Sequence, residues 1–194
     1  MQDYALKKFA TPHAFEQWLS RNHAKAQGIR IQFAKKASGI RSINYAQALE
    51  VALCYGWIDG QAKSIDANWY AQRFTPRRAR SIWSKRNRDI VARLIQEGRM
   101  QPAGQAEIDR AKADGRWDAA YDSPANAKVP PDLAAALRKS PTAKRFFEAL
   151  DGQNRYAILY RLATAKKPET RARRLATFVE MLREGRKLHP RSSL

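Results

Sequence analysis

The sequence predicts an α+β protein, with N-terminal helices and a small, mainly antiparallel sheet followed by an all-helical C-terminal unit. Three observations lead there. Extended, strand-like stretches fall at residues 29–33, 57–65 and 69–75. Helical spacing takes over afterwards and is the only pattern beyond residue 132. Between the two regimes, Asp122 to Pro131 breaks all periodicity and holds Pro124, Pro130 and Pro131. The expected organisation is therefore a domain over 1–122, a linker over 123–131 and a helical domain over 132–194.

The elements follow in order. Thr11 as cap, Pro12 at the first helical position and the apolar Phe15, Trp18 and Leu19 predict a helix over 11–27, closed by Gly28. Ile29, Ile31 and Phe33 alternate with Arg30 and Gln32, as in a half-buried strand. A basic turn, Lys35 to Gly39, leads to the stretch that organises the chain. Asn44 and Gln47 are spaced as a capping box, and Tyr45, Ala48, Leu49, Ala52 and Leu53 line one helical face. Gly56 fits the left-handed position that ends such a helix. The segment from Trp57 is then expected to run as a strand. Cys54, the only cysteine, sits at the helix C-terminus in an apolar run and is expected to be inert core.

Two strands, 57–65 and 69–75, are expected to pair around Asp66-Ala67-Asn68. That register sets Gln61 opposite Arg73 and Asp59 opposite Thr75, making Asp59 and Arg73 diagonal neighbours on a polar face. They are expected to form a charge pair that holds the next loop. That loop, Phe74 to Asn87, carries Arg77, Arg78, Arg80, Lys85 and Arg86, with Ser84 or Asn87 capping a helix that ends at Gly98. Arginines before a helix N-terminus make a ready anion site. Further helices are expected over 102–114, 132–139, from Pro141, over 152–164 and over 168–184.

Charge is the strongest compositional signal. The net charge is +19 over 194 residues. Residues 60–99 hold ten Lys or Arg against three Asp or Glu, and residues 161–194 repeat that +7 excess. Such a field attracts polyanions and concentrates anionic ligands. One cysteine excludes an internal disulfide framework, and three histidines argue against a structural zinc site. No metal or cofactor is expected. No apolar run approaches the roughly 20 residues that span a bilayer, and the N-terminus lacks a signal's apolar core. A cytoplasmic location is expected.

Leu53 to Gly60, Arg73-Phe74-Thr75-Pro76-Arg77, Trp83-Ser84-Lys85 and Asn87, with Ala165 to Arg174, resemble the YdeI/OmpD-associated family, also called bacteriocin-protection proteins. The resemblance runs over essentially the whole chain. It implies a bacterial protein associated with survival under antimicrobial-peptide or related stress, and it carries over no catalytic residues. A +19 chain repels cationic peptides, so direct sequestration of them is physically unattractive.

Three classes of function follow. Binding of a polyanion such as nucleic acid accounts for the basic blocks and their aromatic residues. In it Arg77, Arg78 and Arg80 contact phosphates, and Trp83 or Trp69 stacks on bases. No helix-turn-helix, KH or RRM signature accompanies them. A sensor or enzyme for a small phosphate- or carboxylate-bearing ligand would gather Asp59, Arg73, Arg77, Ser81 and Asn87. It would do so without a catalytic triad order, a P-loop or paired metal ligands. An interaction protein would turn the same charge toward anionic lipid or a protein partner. Together the expected anion- or ligand-binding residues are Trp57, Asp59, Arg73, Arg77, Arg78, Arg80, Ser81, Trp83 and Asn87. Lys166, Lys167, Arg171, Arg173 and Arg174 form a basic tail. No residue names a reaction.

Overall fold

The computed structural model describes residues 4–190, so the expected domain ends at 1–3 and 191–194 lie outside the described residues. The chain divides into two compact units, Met1–Ala120 and Tyr121–Leu194. The first holds β1 (Leu6–Lys8), α1 (Pro12–Asn22), β2 (Ile29–Ala34), α2 (Tyr45–Cys54), β3 (Trp57–Ser64), β4 (Trp69–Pro76), α3 (Lys85–Gln96) and α4 (Pro102–Ala113). The second holds α5 (Pro131–Arg138), α6 (Pro141–Glu148), α7 (Gly152–Ala163) and α8 (Pro168–Arg183). The fold is α+β, with an all-helical second unit.

The four strands lie in the order β1-β2-β4-β3, with β1 parallel to β2 and the other pairs antiparallel. Ile29, Ile31 and Phe33 of β2 are fully buried and share one core with Phe74, Trp57 and the inward faces of α1 and α2. The α2 start is a complete capping box: Asn44 accepts from the Gln47 N–H, and Gln47 accepts from the Asn44 N–H, both at 3.0 Å. At its other end Gly56 takes φ 72°, where a side chain would be strained, and the chain turns into β3. There α4 packs close. A Cβ on Gly104 would collide with the Cys54 carbonyl oxygen, so glycine lets the two backbones meet.

Helix α1 stops five residues short of the expected end at 27. Asn22 Nδ2 donates to the Trp18 carbonyl at 2.7 Å, and the Lys25 N–H closes a tighter i→i−3 turn on the Asn22 carbonyl at 3.0 Å. The side chain thus competes with the helix ladder for its last acceptors.

The hairpin corrects the sequence register in one half. Ala62↔Gln72 and Ser64↔Tyr70 match the expected pairing. A bulge between Asp59 and Ala62 then shifts the rest, giving Asp59↔Phe74 and Ile58↔Thr75. Asp59 therefore shares the face of buried Phe74, whereas Arg73, the next residue along β4, lies on the other face. The expected Asp59–Arg73 charge pair is overturned. The Asp59 carboxylate instead accepts from the Tyr45 hydroxyl of α2 at 2.9 Å. The Arg73 guanidinium lies against Gly60 in the bulge, where a Cβ would meet its Nε at 2.6 Å.

In the second unit, Leu133, Leu137, Phe147, Ile158, Leu162, Phe178 and Leu182 form a separate core. Ala127 and Val129, from the stretch expected as a linker, pack against it. Asn154 is buried and exchanges hydrogen bonds with the His189 backbone, at 3.1 Å to its carbonyl and 2.8 Å from its N–H, tying the chain end to α7.

Candidate functional site

The residues expected to gather around one ligand fall into different settings, and Asp59 and Arg73 lie on opposite faces of the sheet. Trp57 is fully buried in the first core, its indole N–H donating to the His23 carbonyl at 3.2 Å. Asp59 belongs to Tyr45, and Arg73 lies on the opposite face of the sheet. Asn87 is buried, and its N–H is taken by the Ser84 hydroxyl that caps α3 at 3.1 Å. Ser84, not Asn87, is the cap.

The arginine loop is instead built from a buried inner layer and an exposed outer one. Arg77 is 6% exposed, and its guanidinium sits 3.6 Å from the centroid of the Trp83 ring. Trp83 is 1% exposed and meets Trp117 edge-on at 5.0 Å. Arg88 and Lys112 lie on the Trp117 ring at 5.0 and 5.5 Å. Two adjoining indoles are thus flanked by cations, Arg77 on Trp83 and Arg88 and Lys112 on Trp117, and burial strengthens the Arg77 contact. Trp83 has no face left for a nucleobase, and Arg77 has no open side for a phosphate.

Further bonds fix the loop backbone. The Arg77 N–H donates to the Gly56 carbonyl at 3.0 Å, and its Nη1 donates to the Ile82 carbonyl at 3.2 Å. Arg116, itself buried and paired with Asp114, donates to the Ser81 carbonyl at 2.7 Å. The Ser81 hydroxyl accepts from the Arg78 N–H at 2.9 Å, so Ser81 shapes the turn. The sequence reading missed Arg116. Its Asp114-Gly115-Arg116 setting marks a turn, but nothing local shows that the turn reaches residue 81.

On this base Arg78, Arg80, Lys85 and Arg86 are exposed. Arg78, Arg80 and Arg86 have no carboxylate partner among the described residues. Other arginines do: Arg93 and Arg99 share Glu50 and Glu97, and Arg110 meets Glu107. Trp69 lies elsewhere, on the sheet face with Lys8, whose ammonium is 4.5 Å from its ring centroid.

The basic tail divides in two. Arg171 makes a bidentate pair with Asp132, at 2.7 and 2.9 Å, and donates to the Leu162 carbonyl at 2.7 Å. This pair, foremost by its hydrogen bonds, holds the Asp132 carboxyl below its ordinary range. Arg174 donates to the Arg161 carbonyl at 2.6 Å, so both arginines close the C-terminal end of α7. Lys166, Lys167 and Arg173 are exposed.

Cys54 is buried, and that burial pushes its thiol up to about 11 against the smaller pull of Arg99. It is no nucleophile at neutral pH. Among the described residues no group of three or more His, Cys, Asp or Glu side chains gathers to hold a metal ion, and no helix is long and apolar enough to cross a membrane.

Residues 7–107 match the family model described as Domain of unknown function (DUF8412), more than half of the chain. The chain belongs to that family. The DUF8412 region spans the sheet, the hairpin and the arginine loop. Residues 126–185, from within the aperiodic stretch through α8, match a second family model, Bacteriocin-protection, YdeI or OmpD-Associated. The family resemblance seen in the sequence is therefore shown by the helical unit, while the stretches quoted from Leu53 to Asn87 fall in the DUF8412 region. No curated protein and no solved structure matches the chain.

Proposed function

We propose that this DUF8412 protein binds a polyanion, nucleic acid foremost, in the cytoplasm, through the exposed cations of residues 78–86. One observation carries the reading. Arg78, Arg80 and Arg86 stand exposed and without carboxylate partners among the described residues, on a backbone fixed by buried Arg77, Trp83 and Arg116. A chain that pairs many of its arginines and leaves these three open next to a helix N-terminus presents a preorganised phosphate-binding edge. With Trp83 buried, phosphate contacts rather than base stacking supply the affinity. Binding is then strongly salt-dependent and weakly sequence-dependent. The protection from bacteriocins named in the C-terminal family's description fits a protein that acts on an anionic target, since +19 repels cationic peptides.

The test is fluorescence anisotropy of a labelled single-stranded DNA oligonucleotide titrated with the full chain at low ionic strength. Saturable binding is expected, lost on charge reversal at Arg78 and Arg80. Absence of binding even at low salt overturns the reading. Binding to anionic lipid vesicles but not to the oligonucleotide would place the function at a membrane surface instead.

A further inference from the structure

A cleft of about 350 Å³ on the helical unit is lined by Arg161, Arg173, Arg174, Thr177 and Phe178. Three guanidinium-bearing residues thus surround one depression, and none has a carboxylate partner among the described residues. That contrasts with their neighbours Arg171, Arg183 and Arg186, which meet Asp132, Glu180 and Glu184. Like charges gathered around one cleft repel one another unless an anion sits among them. Arg174 is anchored by its bond to the Arg161 carbonyl, so part of the ordering is complete before any ligand arrives. The Thr177 hydroxyl, now donating to the Arg173 carbonyl at 2.9 Å, sits at the same wall and has lone pairs and a rotatable proton. Phe178, 4% exposed, adds a buried apolar side chain to the lining.

We infer that this cleft binds a phosphate monoester dianion carrying a small organic body. Guanidinium forks match the oxygens of a phosphate in paired hydrogen bonds, and three of them offset a double negative charge. The cleft is much larger than a lone phosphate group and falls at the lower end of ordinary small-ligand sites, about 300–1,000 Å³. Apolar Phe178 suits the organic part. The cleft shares no lining residue with the loop at residues 78–86. It places a small-anion function on α7 and α8, on residues other than Asp59, Arg73, Arg77, Ser81 and Asn87. Arg161 lies outside the expected tail block and joins the cleft only through the packing of α7 on α8.

The test is calorimetric titration of the full chain with adenosine monophosphate and, separately, ribose 5-phosphate at physiological salt. Saturable one-to-one binding of at least one is expected, tighter adenosine monophosphate pointing to a nucleotide and equal affinities to a sugar phosphate. The double variant Arg161→Ala/Arg173→Ala removes two side chains that make no hydrogen bond among the described residues, so the fold should survive. It should weaken binding at least tenfold. Arg138→Ala/Lys139→Ala removes the same charge from exposed positions at the C-terminal end of α5 and should change affinity less than twofold. Failure of both ligands to saturate, or equal weakening by the two double variants, overturns the inference. Arg78→Ala/Arg80→Ala should leave this binding intact, so loss of oligonucleotide binding with phosphate-ester binding retained sinks only the polyanion reading.

Discussion

Arg77→Ala should destabilise the first unit although it removes a charge from a strongly cationic chain. The guanidinium stacks on Trp83 at 3.6 Å and donates to the Ile82 carbonyl at 3.2 Å, and the residue is 6% exposed. A desolvated cation–π contact contributes about 2 kcal/mol, and a long hydrogen bond from a charged donor about 1. The loss is then about 3 kcal/mol. With a urea m-value of about 2 kcal/mol/M, the midpoint falls by about 1.5 M. All five tryptophans, Trp18, Trp57, Trp69, Trp83 and Trp117, lie in the first unit, so tryptophan fluorescence in urea reads that unit alone. Arg78→Ala is the matched control: the side chain is exposed and should shift the midpoint by less than about 0.3 M. If Arg77→Ala keeps the wild-type midpoint and loses oligonucleotide binding instead, Arg77 is a contact residue and the layered loop is wrong.

Packing and titration give four further outcomes. Gly104→Ala drives a methyl into the Cys54 carbonyl and should cost about 1–3 kcal/mol in the same urea experiment; an unchanged midpoint would show that α4 does not press on α2. Cys54, its thiol raised to about 11 by burial from an ordinary 9.0, should resist iodoacetamide in the native state at pH 8 and react once urea unfolds the first unit. Its raised folded pKa also means a stability contribution fully present below pH 9 and lost as pH rises toward 11. Asp132 shifts the other way. The Arg171 pair lowers its pKa, so its contribution is present above the ordinary carboxylate range and lost as pH falls through the depressed folded value. Asp132→Asn should flatten that acid limb in circular-dichroism melts, and an identical acid profile would show that the pair contributes nothing.

Several elements are decided by a few adjacent residues and were legible for that reason. Asn44 and Gln47 declare the start of α2, Gly56 declares its end, and Pro168 opens α8 where the composition indicates. Half of the hairpin register was legible for the same reason, since Asp66 turns it by accepting the Asn68 and Trp69 N–H groups at 2.8 and 2.9 Å. The other half failed at Gly60. A glycine inside a strand is a bulge signal, and one extra residue moved Asp59 to the Phe74 face and left Arg73 on the other. The three residues of β1 are too short to show periodicity and are placed by parallel pairing with β2. The candidate site divides similarly. That the loop is basic was evident, but which cations face outward depends on Trp83 and Trp117 meeting across 33 intervening residues.

The salt dependence of oligonucleotide binding tests the central claim most directly. If Arg78, Arg80, Lys85 and Arg86 each neutralise one phosphate, log K should fall with log salt at a slope of about −2.8, or about 50-fold between about 50 and 200 mM. Arg78→Ala/Arg80→Ala should halve that slope to about −1.4, or about sevenfold over the same range. A double variant that binds more weakly but keeps the wild-type slope would contradict the account, because the two arginines would then not be the groups that displace counterions.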